Sequence, residues 1–149
     1  MLNIKFLIPE IFLSFSIFSL LMIGVFKKNS FEIIYRLSLF VIFLIILIIL
    51  SSTNEPAKIF NESFSIDQFS LYSKVLILLS TFFVLQISKK YIIDIKNNKF
   101  EYPIIILLSI LGMFIMVSSN DLILFYLGLE LQSLALYILA SIDRDNLKS

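Results

Sequence analysis

Residues 37–52 read LSLFVIFLIILIILSS, and no charged residue lies between Arg36 and Glu55. A helix needs about 20 mostly apolar residues to cross the hydrocarbon core of a bilayer, so this stretch predicts a membrane span. The whole chain of 149 residues shares its character, with 59% hydrophobic and 15% charged residues and a mean hydropathy of +0.99. Soluble domains have roughly 45–50% hydrophobic residues and about 25% charged residues. The composition argues against a soluble enzyme, a nucleic-acid-binding module and a disordered chain.

Four further apolar stretches have the length of membrane spans. Closed membrane barrels consist of short strands with alternating polarity, whereas these stretches are continuous and favour helices. We therefore predict an all-α integral membrane protein with about five transmembrane helices in a single membrane domain over residues 1–149. The predicted spans cover residues 6–26, 37–52, 68–88, 102–118 and 122–142.

The basic residues predict the orientation of the chain. Cytoplasmic loops of membrane proteins carry an excess of Lys and Arg. With five spans, nine basic residues fall on one side and three on the other, which predicts the N-terminus outside and the C-terminus inside. The nine are Lys27, Lys28, Arg36, Lys89, Lys90, Lys96, Lys99, Arg144 and Lys148, and the three are Lys5, Lys58 and Lys74.

Several kinds of site are excluded by residues that the sequence lacks. The chain has no Cys and no His, which excludes disulfides, thiolate metal sites, Cys-bound iron–sulfur clusters and His-based haem ligation or proton relay within it. Its three Gly residues leave no Gly-rich phosphate loop. A net charge of +1 gives no general attraction for nucleic acid.

The connections between spans differ in length and in predicted role. Residues 54–69 form the longest polar stretch, which is either a solvated connector or a docking surface for another chain. Residues 118–121 form a very short turn, so the fourth and fifth helices are expected to pack as a tight antiparallel hairpin, with Asp121 as the N-cap of the fifth helix. Gly112 and Gly128 permit helices to approach closely. Glu10 is interpreted as a first-turn residue that stabilises the helix dipole.

A polar stripe runs along the fifth predicted helix. Tyr126, Glu130, Ser133 and Tyr137 are spaced by four, three and four residues, which places them on one helix face. Glu130 lies about 12 Å along the helix from Leu122 at 1.5 Å per residue. An ionisable group at that depth predicts a functional site.

Two interpretations of this stripe remain open. In the first, Glu130 is a buried carboxylate that pairs with a cation in a proton path through Tyr126, Ser133 and Tyr137. In the second, it is a neutral side chain that joins two helices by a hydrogen bond. No Lys or Arg lies in the middle of a predicted span, and Lys74 is near the outer end of the third. The cation is therefore expected from another chain.

The segment from Met113 to Ala140 resembles a known family. The resemblance is carried by Ser118-Ser119-Asn120-Asp121-Leu122, by residues 126–134 (YLGLELQSL) and by Tyr137. Residues 7–11 (LIPEI) are similar to the opening of the same family. The chain is similar to subunit 2, or bacterial subunit N, of the proton-pumping NADH:ubiquinone oxidoreductase, respiratory complex I, in its N-terminal part.

This resemblance implies an antiporter-like membrane-arm subunit of complex I. In that family a Glu on the fifth helix pairs with a Lys on the seventh, so Glu130 would take the role of that Glu. NADH, flavin, iron–sulfur clusters and ubiquinone would belong to other subunits, and this chain would hold no cofactor or metal. The expected partners are other membrane-arm subunits, membrane lipids and a second chain that supplies the remaining helices and the Lys, but no nucleic acid.

The length of the chain leaves alternatives to a proton-pumping role. The typical family member has many more helices, so we expect the product of a split gene. The chain is alternatively a retained structural scaffold in which Glu130 is inert, or part of a cation/proton antiporter. The absence of an Arg-rich presequence and a bias towards Phe, Ile and Lys, which have A/T-rich codons, predict the mitochondrial inner membrane. The alternative location is a bacterial plasma membrane.

Overall fold

The computed structural model describes residues 7–52, 56–94 and 99–142. Over these residues the chain forms five α-helices, each long and apolar enough to cross a membrane, so the prediction of an all-α membrane fold is confirmed. The elements are α1 (Ile8–Phe26), α2 (Phe31–Ser51), β1 (Ala57–Ile59), β2 (Phe64–Ile66), α3 (Gln68–Asp94), α4 (Glu101–Ser118) and α5 (Leu122–Ile142).

Two helices extend beyond the apolar stretches that predicted them. Helix α2 begins at Phe31 rather than near residue 37, and α3 continues to Asp94 rather than ending near residue 88. Charged residues limited the predicted spans, but charges at the end of a helix remain hydrated and do not end it. Glu32 illustrates this, because its carboxylate lies 2.8 Å from Arg36 and 3.7 Å from Lys89 at the surface.

The core lies between α1, α2, α3 and α4. Helix α4 is central, since it packs against each of the other four helices, whereas α5 packs almost entirely against α4. The largest fully buried apolar or aromatic side chains include Leu13, Tyr35, Leu78, Leu107 and Phe114. Tyr35 donates a hydrogen bond to the carbonyl of Leu85, which joins α2 to α3 inside this core.

A β-hairpin, which the sequence analysis did not predict, covers one end of the helices. Strands β1 and β2 pair antiparallel with Lys58 opposite Ser65, and they bury Ile59, Phe64 and Ile66 against side chains of the helix ends. We call this the hairpin end of the bundle. The described part of residues 54–69 is therefore a packed cover, and the expectation of a merely solvated connector is wrong for it.

Helices α4 and α5 form the predicted tight antiparallel pair. A Cβ atom added at Gly112 would lie 2.9 Å from the carbonyl oxygen of Gly128, and one added at Gly128 would lie 2.9 Å from the carbonyl oxygen of Gly112. These distances are shorter than a side chain tolerates, so both positions require glycine for this separation of the two backbones. The predicted role of the two glycines is confirmed.

The orientation of the chain in the membrane remains a prediction. The structure does show the uneven distribution of basic residues that suggested it. The ends of the helices opposite the hairpin carry Lys27, Lys28, Lys89, Lys90 and Lys99. Four further basic residues used in that prediction, Lys5, Lys96, Arg144 and Lys148, lie outside the described residues, as does the polar tail 143–149.

Candidate functional site

The predicted polar stripe lies on one face of α5. Because this helix is continuous from Leu122 to Ile142, residues spaced by three or four positions are neighbours along it. The side chain of Tyr126 interacts with the carboxylate of Glu130, one turn further along. Tyr126 and Tyr137 are 60% and 70% exposed, and Glu130 and Ser133 between them are partly exposed.

The stripe faces away from the rest of the described chain. Helix α5 buries only Gly128 and Ala135, which point towards α4. At 100° per residue, Glu130 lies about 140–160° around the helix from these two positions. Glu130 is therefore only partly buried by the described chain, although its depth in the span suggested full burial.

No cation of the described chain reaches Glu130. The ion pairs found among residues 7–52, 56–94 and 99–142 involve other carboxylates. The expectation that a Lys partner comes from elsewhere stays a prediction. The geometry of α5 leaves room for such a partner, since the face that carries Glu130 is uncovered.

A second ionisable pair, which the sequence analysis missed, lies inside the bundle at the hairpin end. The ammonium of Lys74 on α3 donates a hydrogen bond to Oε1 of Glu10 on α1 over 2.5 Å. The side chains are 1% and 9% exposed. The ammonium also lies 5.5 Å from the ring centroid of Phe64 and 5.6 Å from that of Phe114, within range of cation–π attraction.

This pair adds a contact to each residue that the sequence did not predict. Glu10 lies in the first turn of α1, as expected, and its carboxylate also binds a lysine. Lys74 lies near the start of α3, as expected, and it is fully buried. The two helices pack mainly against α2 and α4, so the ion pair forms their principal direct link.

A signal for this pair is present in the spacing of buried residues. Glu10 continues the buried face of α1 formed by Leu13, Ile17 and Leu20. Lys74 lies four residues before Leu78 on the buried face of α3. A charged residue that falls on the apolar stripe of its helix is directed towards the core, and two opposite charges at the same end of the bundle are then candidates for pairing.

Two buried polar atoms at the hairpin end of the bundle have no hydrogen-bond partner in the described part of the chain. Within the described part of the chain, these are Oε2 of Glu10 and the hydroxyl oxygen of Ser118. Ser118 is fully buried at the end of α4, one turn beyond Phe114. A group of three or more His, Cys, Asp or Glu side chains able to hold a metal ion is not found among the described residues.

A groove of about 730 Å³ runs beside the ion pair between α1, α4, α5 and the hairpin. Its wall is mostly apolar and includes Phe15, Phe18 and Leu127. Polar groups line its hairpin end, where Glu10, Ser63 and Asp121 contribute to the wall. Glu10 therefore belongs both to the buried pair and to the residues that line this groove.

The turn between α4 and α5 is bound to the tip of the hairpin. Asp121 accepts a hydrogen bond from the backbone N–H of Leu124 over 2.7 Å, which confirms its prediction as an N-cap. A hydrogen bond from the hydroxyl of Ser63, followed by the one from Leu124, lowers the pKa of the Asp121 carboxyl. The N–H of Asn120 donates to the carbonyl of Ser63 over 2.7 Å, and its side-chain amide donates to the carbonyl of Glu62 over 2.9 Å.

Sequence comparison gives relatives along almost the whole chain, although no protein-family profile matches it. NADH-quinone oxidoreductase subunit N of Pelagibacter ubique is 49% identical over 148 residues, which cover 99% of this chain and 31% of that protein. The subunit N of Paramagnetospirillum magneticum is 39% identical and that of Bartonella bacilliformis 40% identical, and the match covers 29% of each relative.

These comparisons confirm the resemblance and correct the expected location. The relatives are bacterial, so the mitochondrial prediction is not supported and the bacterial plasma membrane is favoured. The helices long enough to span a membrane support a multi-pass membrane protein. The chain spans about 30% of the length of the relatives that it matches. It is a homologue of NADH-quinone oxidoreductase subunit N, consistent with an N-terminal part of that subunit.

Proposed function

We propose that the chain is part of the membrane arm of a bacterial respiratory complex I and contributes to a proton-translocation path coupled to NADH oxidation by ubiquinone. Proton transfer is the role of this chain in the proposal, and the redox groups belong to other subunits. Glu130 is the central proton-binding residue, and the hydroxyl groups of Tyr126, Ser133 and Tyr137 extend the path along α5.

The observation that carries this proposal is the face of α5 that bears Glu130. An ionisable side chain well inside a membrane-spanning helix is costly unless it serves a function or has a polar partner. Here a carboxylate and three hydroxyl groups share a face that the described helices leave uncovered. The sequence relationship to NADH-quinone oxidoreductase subunit N supports the assignment of this face to a respiratory complex I subunit.

The proposal requires further helices against α5. They are carried by additional chain of the same subunit or by a separate polypeptide, and one of them supplies a lysine to Glu130. Other complex I subunits contact the assembled arm, and membrane lipids cover apolar faces such as that of α1, where Phe15 and Phe18 are about 70% exposed.

The test is Glu130→Gln in the source bacterium, which removes the proton-binding group and preserves the shape of the side chain. Inverted membrane vesicles are assayed for the number of protons moved per electron during NADH oxidation. We expect native electrophoresis to show the complex at its normal size, and the ratio of protons to electrons to fall.

The matched control is Glu62→Gln, which neutralises an exposed carboxylate on the hairpin that pairs with Lys58 at 3.4 Å. This variant is expected to keep the wild-type ratio. An unchanged ratio in Glu130→Gln would contradict the proposal and favour a structural scaffold. A chain found in a small complex without NADH oxidation would favour a cation/proton antiporter.

A further inference from the structure

We propose that Glu10, Lys74 and Ser118 form a hydrated proton-exchange site that opens to the solvent at the hairpin end of the bundle. The chemical ligand of the site is water, which delivers and removes a proton at the free oxygen of Glu10. The hydration and opening of the site are independent of the function proposed above. Only the use of the exchanged proton in pumping rests on that function.

The first step of this inference is the hydrogen-bonding capacity of the site. A lysine ammonium has three N–H donors, and the described contacts of Lys74 use one of them, towards Oε1 of Glu10. Oε2 of Glu10 and the hydroxyl of Ser118 have no protein partner. Unpaired donors and acceptors buried at the same end of a bundle are the groups that internal water satisfies, typically with two to four hydrogen bonds per molecule.

The second step is the position of Ser118 relative to the ion pair. Residue Ser119, which follows it, forms an isolated β-bridge with Phe64. The ring of Phe64 lies beside the ammonium of Lys74, and so does the ring of Phe114, one turn before Ser118 on α4. These contacts bring Ser118 to the same end of the bundle as the ion pair.

The third step is access from solvent. Glu10 lines the groove between α1, α4 and α5, and Ser63 and Asp121 are polar residues in the wall of the same groove. Asp121 caps α5 outside its apolar stretch, so it marks the level at which the groove meets water. Asp121 is also the other titratable group among the described residues of this wall.

The proton step conserves charge and needs no other reactant. In the resting pair, Oε1 of Glu10 remains bonded to the ammonium of Lys74 and the pair has no net charge. A hydronium ion at the hairpin end transfers its proton to Oε2, which gives a neutral carboxyl group, a lysine cation and a water molecule. Release reverses the step and returns the proton to water.

The first experiment measures water access with cysteine variants, because the chain has no cysteine of its own. Ser118→Cys is made in the assembled complex, in membrane vesicles of each orientation, and treated with a charged, membrane-impermeant methanethiosulfonate. Mass spectrometry of this chain gives the rate of modification. The matched control is Ser38→Cys on α2, since Ser38 is equally buried but bonds the carbonyls of Ile34 and Tyr35.

We expect Ser118→Cys to react on the order of tenfold faster than Ser38→Cys, because the reactivity of a cysteine follows its access and its thiolate fraction. The reaction should occur from one face of the membrane only. Equal rates for the two variants, or no modification of Ser118→Cys, would show that the site is closed to water and would overturn the proposal. This experiment is valid whatever the complex pumps.

The second experiment distinguishes proton exchange from a structural ion pair. Glu10→Gln, Lys74→Met and the double variant are compared for protons moved per electron. If the ion pair is only structural, proton pumping should recover in the double variant, because removing both charges leaves no uncompensated charge. A proton-exchange site predicts that the double variant assembles but pumps as poorly as Glu10→Gln.

The outcomes separate this inference from the function proposed above. If the double variant pumps protons as the wild type does, the proposed proton exchange at Glu10 is wrong. This conclusion holds whatever effect Glu130→Gln has on pumping. Failure of Glu130→Gln to affect pumping contradicts the proposed path on α5, while the labelling of Ser118→Cys still decides whether the ion pair is hydrated. A defect in both Glu130→Gln and the double variant supports both proposals.

Discussion

Two carboxylates in membrane-spanning helices of this chain have opposite surroundings. Glu130 lies eight residues into α5 and is partly exposed on a face that no described helix covers. Glu10 lies in the first turn of α1, yet the chain buries it and pairs it with Lys74. Glu130 therefore lies further from the end of its helix than Glu10 does, yet the protein buries it less.

This difference separates two meanings of burial in a membrane protein. Depth along a helix follows from counting residues at 1.5 Å each, so it is available from the sequence. Contact with other helices depends on which face of the helix meets a neighbour. For Glu130 the opposite face of α5 meets α4, whereas for Glu10 the charged face itself is directed into the bundle.

The largest expected effect is that of Lys74→Met on stability. It leaves the Glu10 carboxylate buried without its cation, and breaking a buried pair in this way typically costs about 3–5 kcal/mol. We expect a marked fall in the unfolding temperature of the detergent-solubilised protein and a partial recovery when Glu10→Gln is added.

The contrast with Glu130 supplies the control. Glu130→Gln should change stability by no more than about 0.5 kcal/mol, as is usual for a position outside the packed interior. If Glu130→Gln destabilised the protein as much as Lys74→Met, the two carboxylates would not differ in their surroundings as the structure indicates.

A second prediction concerns the contact that turns Glu130 away from the bundle. In Gly128→Ala the new methyl group would lie 2.8 Å from Cγ of Met116 and 2.9 Å from the carbonyl oxygen of Gly112. Such overpacking typically costs about 1–3 kcal/mol, and the unfolding temperature should fall accordingly. Ser80→Ala, at an exposed position on α3, is the control, and an equal loss in both variants would refute the close approach of α4 and α5.

The smallest expected effect is at Asp121, which joins the two regions. Its pKa is lowered by Ser63 and Leu124, so its contribution to stability is present above the ordinary pKa of about 3.9 and is lost as the pH falls through the lower value in the folded protein. Asn also caps helices but does not titrate. Asp121→Asn should therefore lose less stability than the wild type between pH 5 and 2, measured by thermal unfolding, and identical pH profiles would contradict this prediction.

The sequence was sufficient for features that depend on local pattern. Continuous apolar stretches predicted the helices, and the short turn before Leu122 predicted both the α4–α5 pair and the cap at Asp121. The role of Gly112 and Gly128 in helix packing also followed, because small residues permit helices to approach closely.

Features that depend on distant parts of the chain were not predicted. Glu10 and Lys74 are 64 positions apart, and each alone looks like an ordinary charge near a helix end. The hairpin likewise depends on tertiary contacts, since its two strands have three residues each and its tip is held by Asn120, 58 positions after Glu62. Short polar segments with so little local signal take their structure from what they pack against.

The separation of Glu10 from Lys74 has a consequence for biosynthesis. A chain is made from its N-terminus, so the ribosome completes α1 with its carboxylate 64 residues before the lysine that neutralises it. The position of Glu10 in the first turn suits this delay, because a charge near the end of a helix can remain at the membrane surface. The ion pair can therefore form only after the ribosome has also made Lys74 in α3.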